Sequence, residues 1–232
     1  MLCCESEIIQ MTAFLFSCEY ATCAVPEAYR EWFHGAEEMV TSPQGWDSGA
    51  LNLAQAFSMR FRTPLVHGLH TRLLIDLDAT GDARWSRYSK KIPEAGRQRL
   101  QDREEAAYRL LLRQRIAEDL RRHSAMMHLM VRTVDGSEGK VVLETFAAGS
   151  LGESLASAWK DELLVLGLDV SHHIAVKGSA LAAELGGLFP MERYGLMRIK
   201  VAQSFFLEGR PWRWEVLKKA LLESLQKVVA QG

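Results

Sequence analysis

The residues whose types could do chemistry lie at the ends of apolar runs that are typical of buried strands. Glu19 and Tyr20 follow the first such run, Asp76 and Asp78 end another, and Arg132 lies late in a third. In a sheet of mostly parallel strands, ligands bind beyond the carboxyl ends of the strands. These acidic, phenolic and cationic side chains are therefore predicted to share one site.

A pair of cations alternates along the last predicted strand. Arg198 and Lys200 flank Ile199, and Gln203 ends the same run. Because successive side chains of a strand point to opposite faces, both cations are predicted to lie on one face. This pattern favours either a bound anion or internal ion pairs at the strand ends, since buried cations need partners.

The histidines do not have the spacing of a metal site. His67 and His70 are three apart, and the residues at 172–173 are adjacent, so an extended chain directs the members of each pair to opposite sides. His128 lies four residues before Arg132, on the same side of the strand but roughly 13 Å back along it. We therefore expect these histidines to pack in the core or face solvent rather than to bind zinc.

The elements that position these residues alternate between strand and helix. Strands are predicted at 12–18, 63–68, 71–78, 125–133, 140–146, 169–176 and 194–206, and helices after Pro26, from Asp47, and at 98–123, 151–167, 179–189 and 210–230. Such alternation is typical of a three-layer α/β sandwich, in which a mostly parallel mixed sheet is covered on both faces.

Apolar residues at helical spacing predict which faces of three helices are buried. The predicted stripes are Leu51–Ala54–Phe57–Phe61, Leu100–Ala107–Leu111 and Trp212–Val216–Leu221–Leu225. Asp47 precedes the first of these helices and is a candidate N-cap.

Composition limits the classes of function. The chain has 232 residues and a formal net charge of −1, which is typical of one domain spanning 1–232. The Arg-rich helix alternates Arg with Glu, so we expect no nucleic-acid binding. No apolar run reaches the ~20 residues that cross a bilayer, so we expect no membrane insertion. Glu5 and Glu7 make the start a poor signal peptide, and a cytoplasmic protein is expected.

All four cysteines lie near the start of the chain, and none form a CxxC pair. They are Cys3, Cys4, Cys18 and Cys23. This spacing predicts reduced thiols rather than a zinc knuckle or a disulfide scaffold.

Six segments occur in the order and spacing of a known family. They read "CEYATCAVPEAY", "GWDSGALNLAQAF", "TRLLIDLD", "WSRYSKKIP", "MMHLMVRT" and "FPMERYGLMRIKVAQ". Over about residues 13–205 the chain resembles the N-formylglutamate amidohydrolase family. The resemblance implies a zinc-exopeptidase-like fold and a zinc-dependent amide hydrolase, in which a metal-activated water attacks the formyl carbon, a carboxylate is the base and arginines hold the substrate's carboxylates.

The departures from the family pattern fall on the metal and base positions. Tyr20 and Arg132 stand where the resemblance implies histidines, Cys23 stands for an asparagine, and Arg198-Ile199-Lys200 replaces a Glu-x-Glu. The family-like residues that remain are Glu19, Asp47, Arg72, Asp76, Tyr88, Lys177 and Gln203. Of these, Arg72, Asp76, Tyr88 and Lys177 are the implied substrate-binding residues.

These replacements argue against a zinc site. A catalytic zinc ion wants three ligands drawn from neutral His, thiolate or carboxylate. The phenol of Tyr20 must lose a proton with a pKa near 10, and the Arg132 guanidinium has no lone pair to offer. Asp47 is left almost alone, and Lys200 offers a cation where a base is implied. We therefore expect no metal and no confident catalytic residue.

Three functions stay open from the sequence. The first is a non-catalytic relative whose basic former metal pocket, with Arg72, Arg132 and Lys177 converging on it, binds a small anion or a protein partner. Alternatively, Arg132 and Lys200 pair with Glu19, Asp47 and Asp76. The second is an active amidohydrolase that cleaves N-formyl-L-glutamate or a similar N-acyl amino acid, with zinc held by Asp47 together with Glu19 or a cysteine. The third is an interaction protein whose pocket is filled by its own side chains; a homo-oligomer is a further candidate, with Trp212 and Trp214 as core or contact residues.

Overall fold

The computed structural model describes residues 12–136, 140–175, 179–207 and 209–231, and it contains a six-stranded sheet. The strand order is β2-β1-β3-β6-β4-β5. The strands are β1 Thr12–Cys18, β2 Leu65–His67, β3 Ala125–Val134, β4 Lys140–Thr145, β5 Asp169–Ile174 and β6 Tyr194–Ala202. The first four strands in this order are parallel to one another, whereas β4 is antiparallel to β6 and parallel to β5. The predicted mostly parallel mixed sheet is confirmed.

Helices cover both faces of the sheet. The α-helices are α1 Glu37–Thr41, α2 Ala50–Phe61, α3 Glu94–Leu100, α4 Ala107–Arg122, α5 Leu151–Val165, α6 Ala180–Leu188, α7 Ser204–Leu207 and α8 Pro211–Gln231. A π-helical segment, Gln101–Ala106, joins α3 to α4, and a 3₁₀ helix spans Glu27–Phe33. Helices α2, α5 and α8 pack on the first face, and α4 and α6 pack on the second face. This arrangement is the predicted three-layer sandwich.

The strands alternate between the two cores because their side chains have a period of two. Phe14 and Phe16 of β1 lie in the core under the first face, whereas Leu15 lies under the second face. In β6, Met197 and Ile199 belong to the first core. Arg132 of β3, and Arg198 and Lys200 of β6, alternate with residues of the first core, so these cations lie on the second face, near the carboxyl ends of the parallel strands.

The strand predicted at 71–78 is wrong. These residues form turns, and their backbone groups bond to loops: the Thr71 N–H donates to Ala24 O, and the Arg72 N–H donates to Gly45 O. Leu74 and Ile75 are buried, but in a satellite cluster with Phe33, away from the sheet. The apolar run thus reflects local packing under loops rather than strand pairing.

Two of the predicted helix faces are displaced. Helix α4 buries Tyr108, Leu112 and Ile116 in place of the predicted Ala107 and Leu111. The π-helical turn before α4 accounts for this, since its i→i+5 pattern changes the phase of every residue that follows. The whole helical stretch also begins at 94 rather than 98.

The terminal helix shows a similar change. Trp214 and Leu217 of α8 are buried, whereas Trp212 is 62% exposed and Val216 is 66% exposed. Leu221 and Leu225 are buried as predicted. The stripe of α2 is likewise confirmed, with Ala54 and Phe57 fully buried. Within the described ranges, none of the helices is both long and apolar enough to cross a membrane.

Candidate functional site

Asp47 is the centre of a group of ion pairs at the ends of the parallel strands. Its carboxylate is almost fully buried and accepts hydrogen bonds from Arg132 Nε, from Arg72 Nη2 at 3.1 Å and from the Thr133 N–H at 3.3 Å. The predicted capping role of Asp47 is wrong. The residue before helix α2 is Gly49, which has a positive φ of 86°, and no side chain caps the helix. The Asp47 side chain turns toward β3.

Tyr20 packs against both of these arginines. Its ring centroid lies 3.9 Å from the guanidinium carbon of Arg132 and 4.2 Å from that of Arg72, at the distance of cation–π contacts. The Tyr20 hydroxyl donates to Asp76 Oδ1 at 2.5 Å. Burial, and then the Asp76 charge, raise the pKa of Tyr20 well above its ordinary value, so the phenol stays protonated.

The charge of Arg132 is fixed by the same contacts. Burial alone would lower the pKa of Arg132, but the neighbouring Asp47 carboxylate raises it above its ordinary value. The guanidinium therefore stays a cation between Asp47 and Tyr20. The predicted pairing of Arg132 with Asp47 is confirmed.

A second set of ion pairs continues along the same face. Arg198 donates to Asp78 Oδ2 at 3.0 Å and to Glu144 Oε2 at 3.4 Å, and Lys200 also donates to Glu144. Arg198 and Lys200 thus share a face, as predicted. Lys200, however, pairs with Glu144 rather than with Glu19, Asp47 or Asp76, because β4 lies directly beside β6 and places Glu144 opposite Arg198.

The pKa values of Asp78 and Glu144 shift in opposite directions. Burial raises the pKa of Asp78 to about 6, against the opposing effect of Arg198. The pKa of Glu144 shifts the other way: burial would raise it, but the bonds from Lys200 and the charge of Arg198 lower it. The two carboxyl groups that share Arg198 therefore differ in their affinity for a proton.

We call these residues the strand-end cluster: Tyr20, Asp47, Arg72, Asp76, Asp78, Arg132, Glu144, Arg198 and Lys200. Within the described part of the chain, its four cations pair with three carboxylates, those of Asp47, Asp78 and Glu144, and the fourth carboxylate, Asp76, accepts from the Tyr20 hydroxyl. The sequence prediction of a surplus of positive charge is therefore corrected. Arg72 and Arg132 converge as predicted, and Glu144, which was not among the predicted site residues, joins the cluster through the β4–β6 pairing.

A row of buried hydrogen bonds runs behind the strand-end cluster and was missed from the sequence. Glu19 Oε1 accepts from Tyr108 at 2.9 Å and from Ser17 at 2.7 Å. His128 Nε2 lies 2.8 Å from Ser17 Oγ, and its Nδ1 lies 2.8 Å from the hydroxyl of Tyr194. The signal that could have found this row is the spacing of Ser17 in β1 and Glu19 just after it, two residues apart in an extended segment.

The number of available donors determines which atom carries the proton in each of these hydrogen bonds. Ser17 gives its hydroxyl proton to Glu19, so it accepts from His128 Nε2–H, which leaves Nδ1 to accept from Tyr194. Burial lowers the pKa of His128 to about 3, in agreement with a neutral ring. The carboxylate bonds to the serine rather than to the imidazole, and Ser17 is fully buried. This is not the arrangement of a Ser-His-Asp triad, in which the acid orients the base.

The remaining predicted site residues have other surroundings. Gln203 Nε2 donates to Thr133 Oγ1 at 3.3 Å, beside Asp47. Tyr88 instead packs against Phe33 in the satellite cluster, and its hydroxyl accepts from Arg87. Lys177 lies outside the described residues, as do Cys3 and Cys4. Cys18 and Cys23 are free thiols, and burial raises the pKa of Cys18.

The donor set at Tyr20, Asp47 and Arg132 does not fit a zinc ion. The phenol is protonated, the guanidinium offers no lone pair, and Asp47 is engaged by two arginines. Nowhere in the described ranges do three His, Cys, Asp or Glu side chains form a group that would hold a metal ion. No step of a metal-dependent reaction can therefore be assigned to these residues.

The sheet order and its two helical layers define a three-layer α/β sandwich. Solved structures of similar fold agree. The crystal structure of the gene product Atu2144 from Agrobacterium tumefaciens matches with a TM-score of 0.76 and 16% identity, over 97% of this chain and 92% of that one. N-formylglutamate amidohydrolase from Ralstonia eutropha JMP134 matches with a TM-score of 0.71 and 16% identity, over 94% of each chain.

Sequence comparisons add no relative to these. No protein-family model matches the sequence, and no curated protein matches it. At 16% identity the structural likeness shows the fold alone. The N-formylglutamate amidohydrolase fold implied by the sequence motifs is thereby confirmed.

Proposed function

We propose that this chain is a non-catalytic relative of N-formylglutamate amidohydrolase. The observation that carries the proposal is the Arg132 guanidinium, which donates to Asp47 and lies 3.9 Å from the Tyr20 ring centroid. The three positions that the sequence resemblance assigns to zinc ligands thus form an ion pair covered by an aromatic ring. The positions at which the resemblance implies carboxylates hold cations instead, since Arg198 is paired with Asp78 and Lys200 with Glu144.

The alternative is an active amidohydrolase acting on N-formyl-L-glutamate or a similar N-acyl amino acid. The fold of the Ralstonia enzyme is the observation that favours it. It requires zinc to displace Arg132 from Asp47 and to recruit a further ligand, such as Glu19 or a cysteine. Asp47 is already engaged by Arg132 and Arg72, which argues against this alternative.

The test is metal content and hydrolysis measured on the same untagged protein. After dialysis against zinc, we expect far less than one zinc ion per chain and no hydrolysis of N-formyl-L-glutamate above the buffer rate. Near-stoichiometric zinc that is lost in Asp47→Asn, together with hydrolysis, would overturn the proposal. The double substitution Tyr20→His/Arg132→His supplies the matched comparison, because it restores two imidazole ligands beside Asp47 and is expected to raise zinc retention.

Binding of a small anion or carboxylate at the strand-end cluster is a further part of the proposal. Arg198 Nε favours it, as a buried donor without a hydrogen-bond partner among the described residues. The matched carboxylates oppose it, since an anion must compete with Asp78 and Glu144 for the same guanidinium. We therefore expect weak binding, and thermal unfolding with added formate or phosphate measures it. A concentration-dependent rise in Tm that is absent in Arg198→Met would establish an anion site here.

A further inference from the structure

A cavity of about 390 Å³ lies apart from the strand-end cluster, between the 3₁₀ helix Glu27–Phe33 and the stretch from Ile92 to Glu104. We call it the aromatic cavity. Tyr29 and Trp32 form one wall, with ring centroids 6.0 Å apart and ring planes inclined by 46°. Its volume falls within the ~300–1,000 Å³ of small-molecule sites. The cavity therefore has the size and the apolar wall for a ligand with a planar body.

Gly96 lets the aromatic wall pack closely against helix α3. A Cβ atom at Gly96 would lie 2.7 Å from Ile92 Cγ2, and 3.9 Å from both Tyr29 Cε1 and Arg99 Nη2. The Tyr29 hydroxyl donates to Gly96 O at 3.5 Å. The ring of Tyr29 and the guanidinium of Arg99 are therefore held near each other at the cavity, within reach of a single ligand.

Two arginines at the cavity have no carboxylate partner. Arg99 and Arg103 are exposed, line the cavity, and lie four residues apart where α3 continues into the π-helical segment. Neither makes an ion pair or a hydrogen bond through its side chain within the described ranges. Nearby carboxylates are engaged elsewhere: Glu94 by Arg97, and Asp102 by Gln98.

Glu104 does not neutralise both arginines. Its Oε1 lies 3.3 Å from His70 Nε2 at the wall of the cavity. Burial lowers the pKa of His70, which favours the neutral imidazole, and Glu104 is the one carboxylate among the residues that line the cavity. Two guanidinium groups facing one carboxylate leave a positive charge at the mouth of an aromatic cavity.

The π-helical segment holds these groups in place. Glu105, within the segment, is buried and accepts from Arg84 at 2.6 Å and from Arg109 at 3.2 Å. These buried bonds fix the wide turn that carries Arg103 and Glu104 at the cavity. Short π-helical turns occur frequently at functional sites, where they redirect side chains.

We propose that the aromatic cavity binds a small aromatic carboxylate. Its ring packs against Tyr29 and Trp32, and its carboxylate accepts hydrogen bonds from Arg99 and Arg103. Charge-assisted bonds from a guanidinium to a carboxylate are stronger and more directional than those of a neutral amide, so the charged ligand is preferred over its amide. The proposal does not depend on the absence of catalysis at the strand-end cluster.

Isothermal titration calorimetry with indole-3-acetate and its neutral amide, indole-3-acetamide, tests the proposal. We expect the carboxylate to bind at least ~tenfold more tightly than the amide. Arg99→Gln/Arg103→Gln is expected to abolish that preference, and Trp32→Leu to weaken both ligands. Arg121→Gln, an exposed arginine of α4 away from the cavity, is the matched control and is expected to change neither affinity.

Several results would overturn the proposal. Equal affinity for the carboxylate and the amide would remove the role of the arginines, as would a preference that survives in the double variant. Inorganic phosphate that competes as well as indole-3-acetate binds would show a plain anion site without a role for the aromatic wall. No heat of binding for either ligand at millimolar concentration would exclude this ligand class altogether.

Discussion

Arginine occurs in two regions of this molecule under opposite conditions. In the strand-end cluster Arg132 and Arg198 are buried, and each meets a carboxylate. At the aromatic cavity Arg99 and Arg103 are exposed and meet none within the described ranges. A buried cation without a partner is very costly, whereas an exposed one keeps its hydration. The difference shows where charge serves the fold and where it is available to a ligand.

The two regions also differ in how readily a ligand could bind to them. A ligand at the strand-end cluster must break an existing ion pair before it gains one, so its net gain is small. A ligand at the aromatic cavity displaces water from two exposed guanidinium groups and an apolar wall. Substitutions in the two regions should therefore affect stability and binding in opposite proportions.

The largest expected effect is on stability, in Asp47→Asn. This change leaves Arg132 and Arg72 without the charge that compensates them. Removing one member of a buried ion pair costs about 3–5 kcal/mol of unfolding free energy. Urea denaturation measures the loss, and Asp161→Asn, an exposed aspartate of α5, is the matched control with an expected change within about 0.5 kcal/mol.

A second substitution checks the reason for that loss. Arg132→Met in the Asp47→Asn background removes the uncompensated cation, so part of the lost stability is expected to return. If Asp47→Asn alone costs less than about 1 kcal/mol, the charges of the strand-end cluster are not compensated as the contacts indicate.

The next effect is a dependence of stability on pH that comes from Asp78. Its pKa is raised from 3.8 to about 6 in the folded protein. The folded state therefore binds more protons than the unfolded state between these values, so this group's contribution to stability is fully present below pH 3.8 and is lost as the pH rises through about 6. The shift corresponds to about 2–3 kcal/mol.

The measurement is the difference in unfolding free energy between the wild type and Asp78→Asn at several pH values. Asparagine does not titrate, so the wild type should lose stability relative to the variant as the pH rises through that window. The difference isolates Asp78 from Glu144, whose lowered pKa acts in the opposite direction. Parallel curves for the two proteins would show that Asp78 titrates normally.

The sequence predicted the overall architecture better than it predicted individual strands and helix faces. The strands β1 and β3 are rich in apolar residues and buried almost throughout, and such segments bounded by polar residues are typical of central strands. The run at 71–78 looked the same but packs under loops, because burial alone does not distinguish a strand from a satellite core. The displaced stripe of α4 had a different cause, since a π-helical turn has no sequence signature.

The sequence predicted the features of the site that depend on one strand, but not those that depend on the pairing of two strands. Alternation placed Arg198 and Lys200 on one face, and the pairing of Arg132 with Asp47 was one of the alternatives that the family resemblance left open. Glu144 could not be foreseen, since its place opposite Arg198 depends on β4 running antiparallel to β6. Likewise the bond between Ser17 and His128 joins two strands 111 residues apart.

A smaller effect is expected for Lys200→Met. Lys200 is about a quarter exposed, and Glu144 keeps Arg198 and His173 as partners when Lys200 is removed. Solvent screens the lost pair, so the cost should be at most about 1 kcal/mol of unfolding free energy. Urea denaturation beside Lys90→Met, whose ion pair with Asp82 is more exposed, gives the comparison. A loss as large as that of Asp47→Asn would mean that Glu144 depends on Lys200 alone.

The smallest effect on stability is expected at the aromatic cavity, in Arg99→Gln and Arg103→Gln. Both side chains are exposed and have no ionic partner within the described ranges, so each change should alter the unfolding free energy by no more than about 0.5 kcal/mol. Glutamine keeps the helix propensity of arginine at both positions, so a larger loss cannot come from the helix itself. Urea denaturation of each variant and of the double variant measures the change.

A loss above about 1 kcal/mol would show that these arginines stabilise the π-helical segment, and the contrast between the two regions would fail. Stability close to that of the wild type, together with a lost preference for indole-3-acetate, would instead separate binding from folding at these two residues.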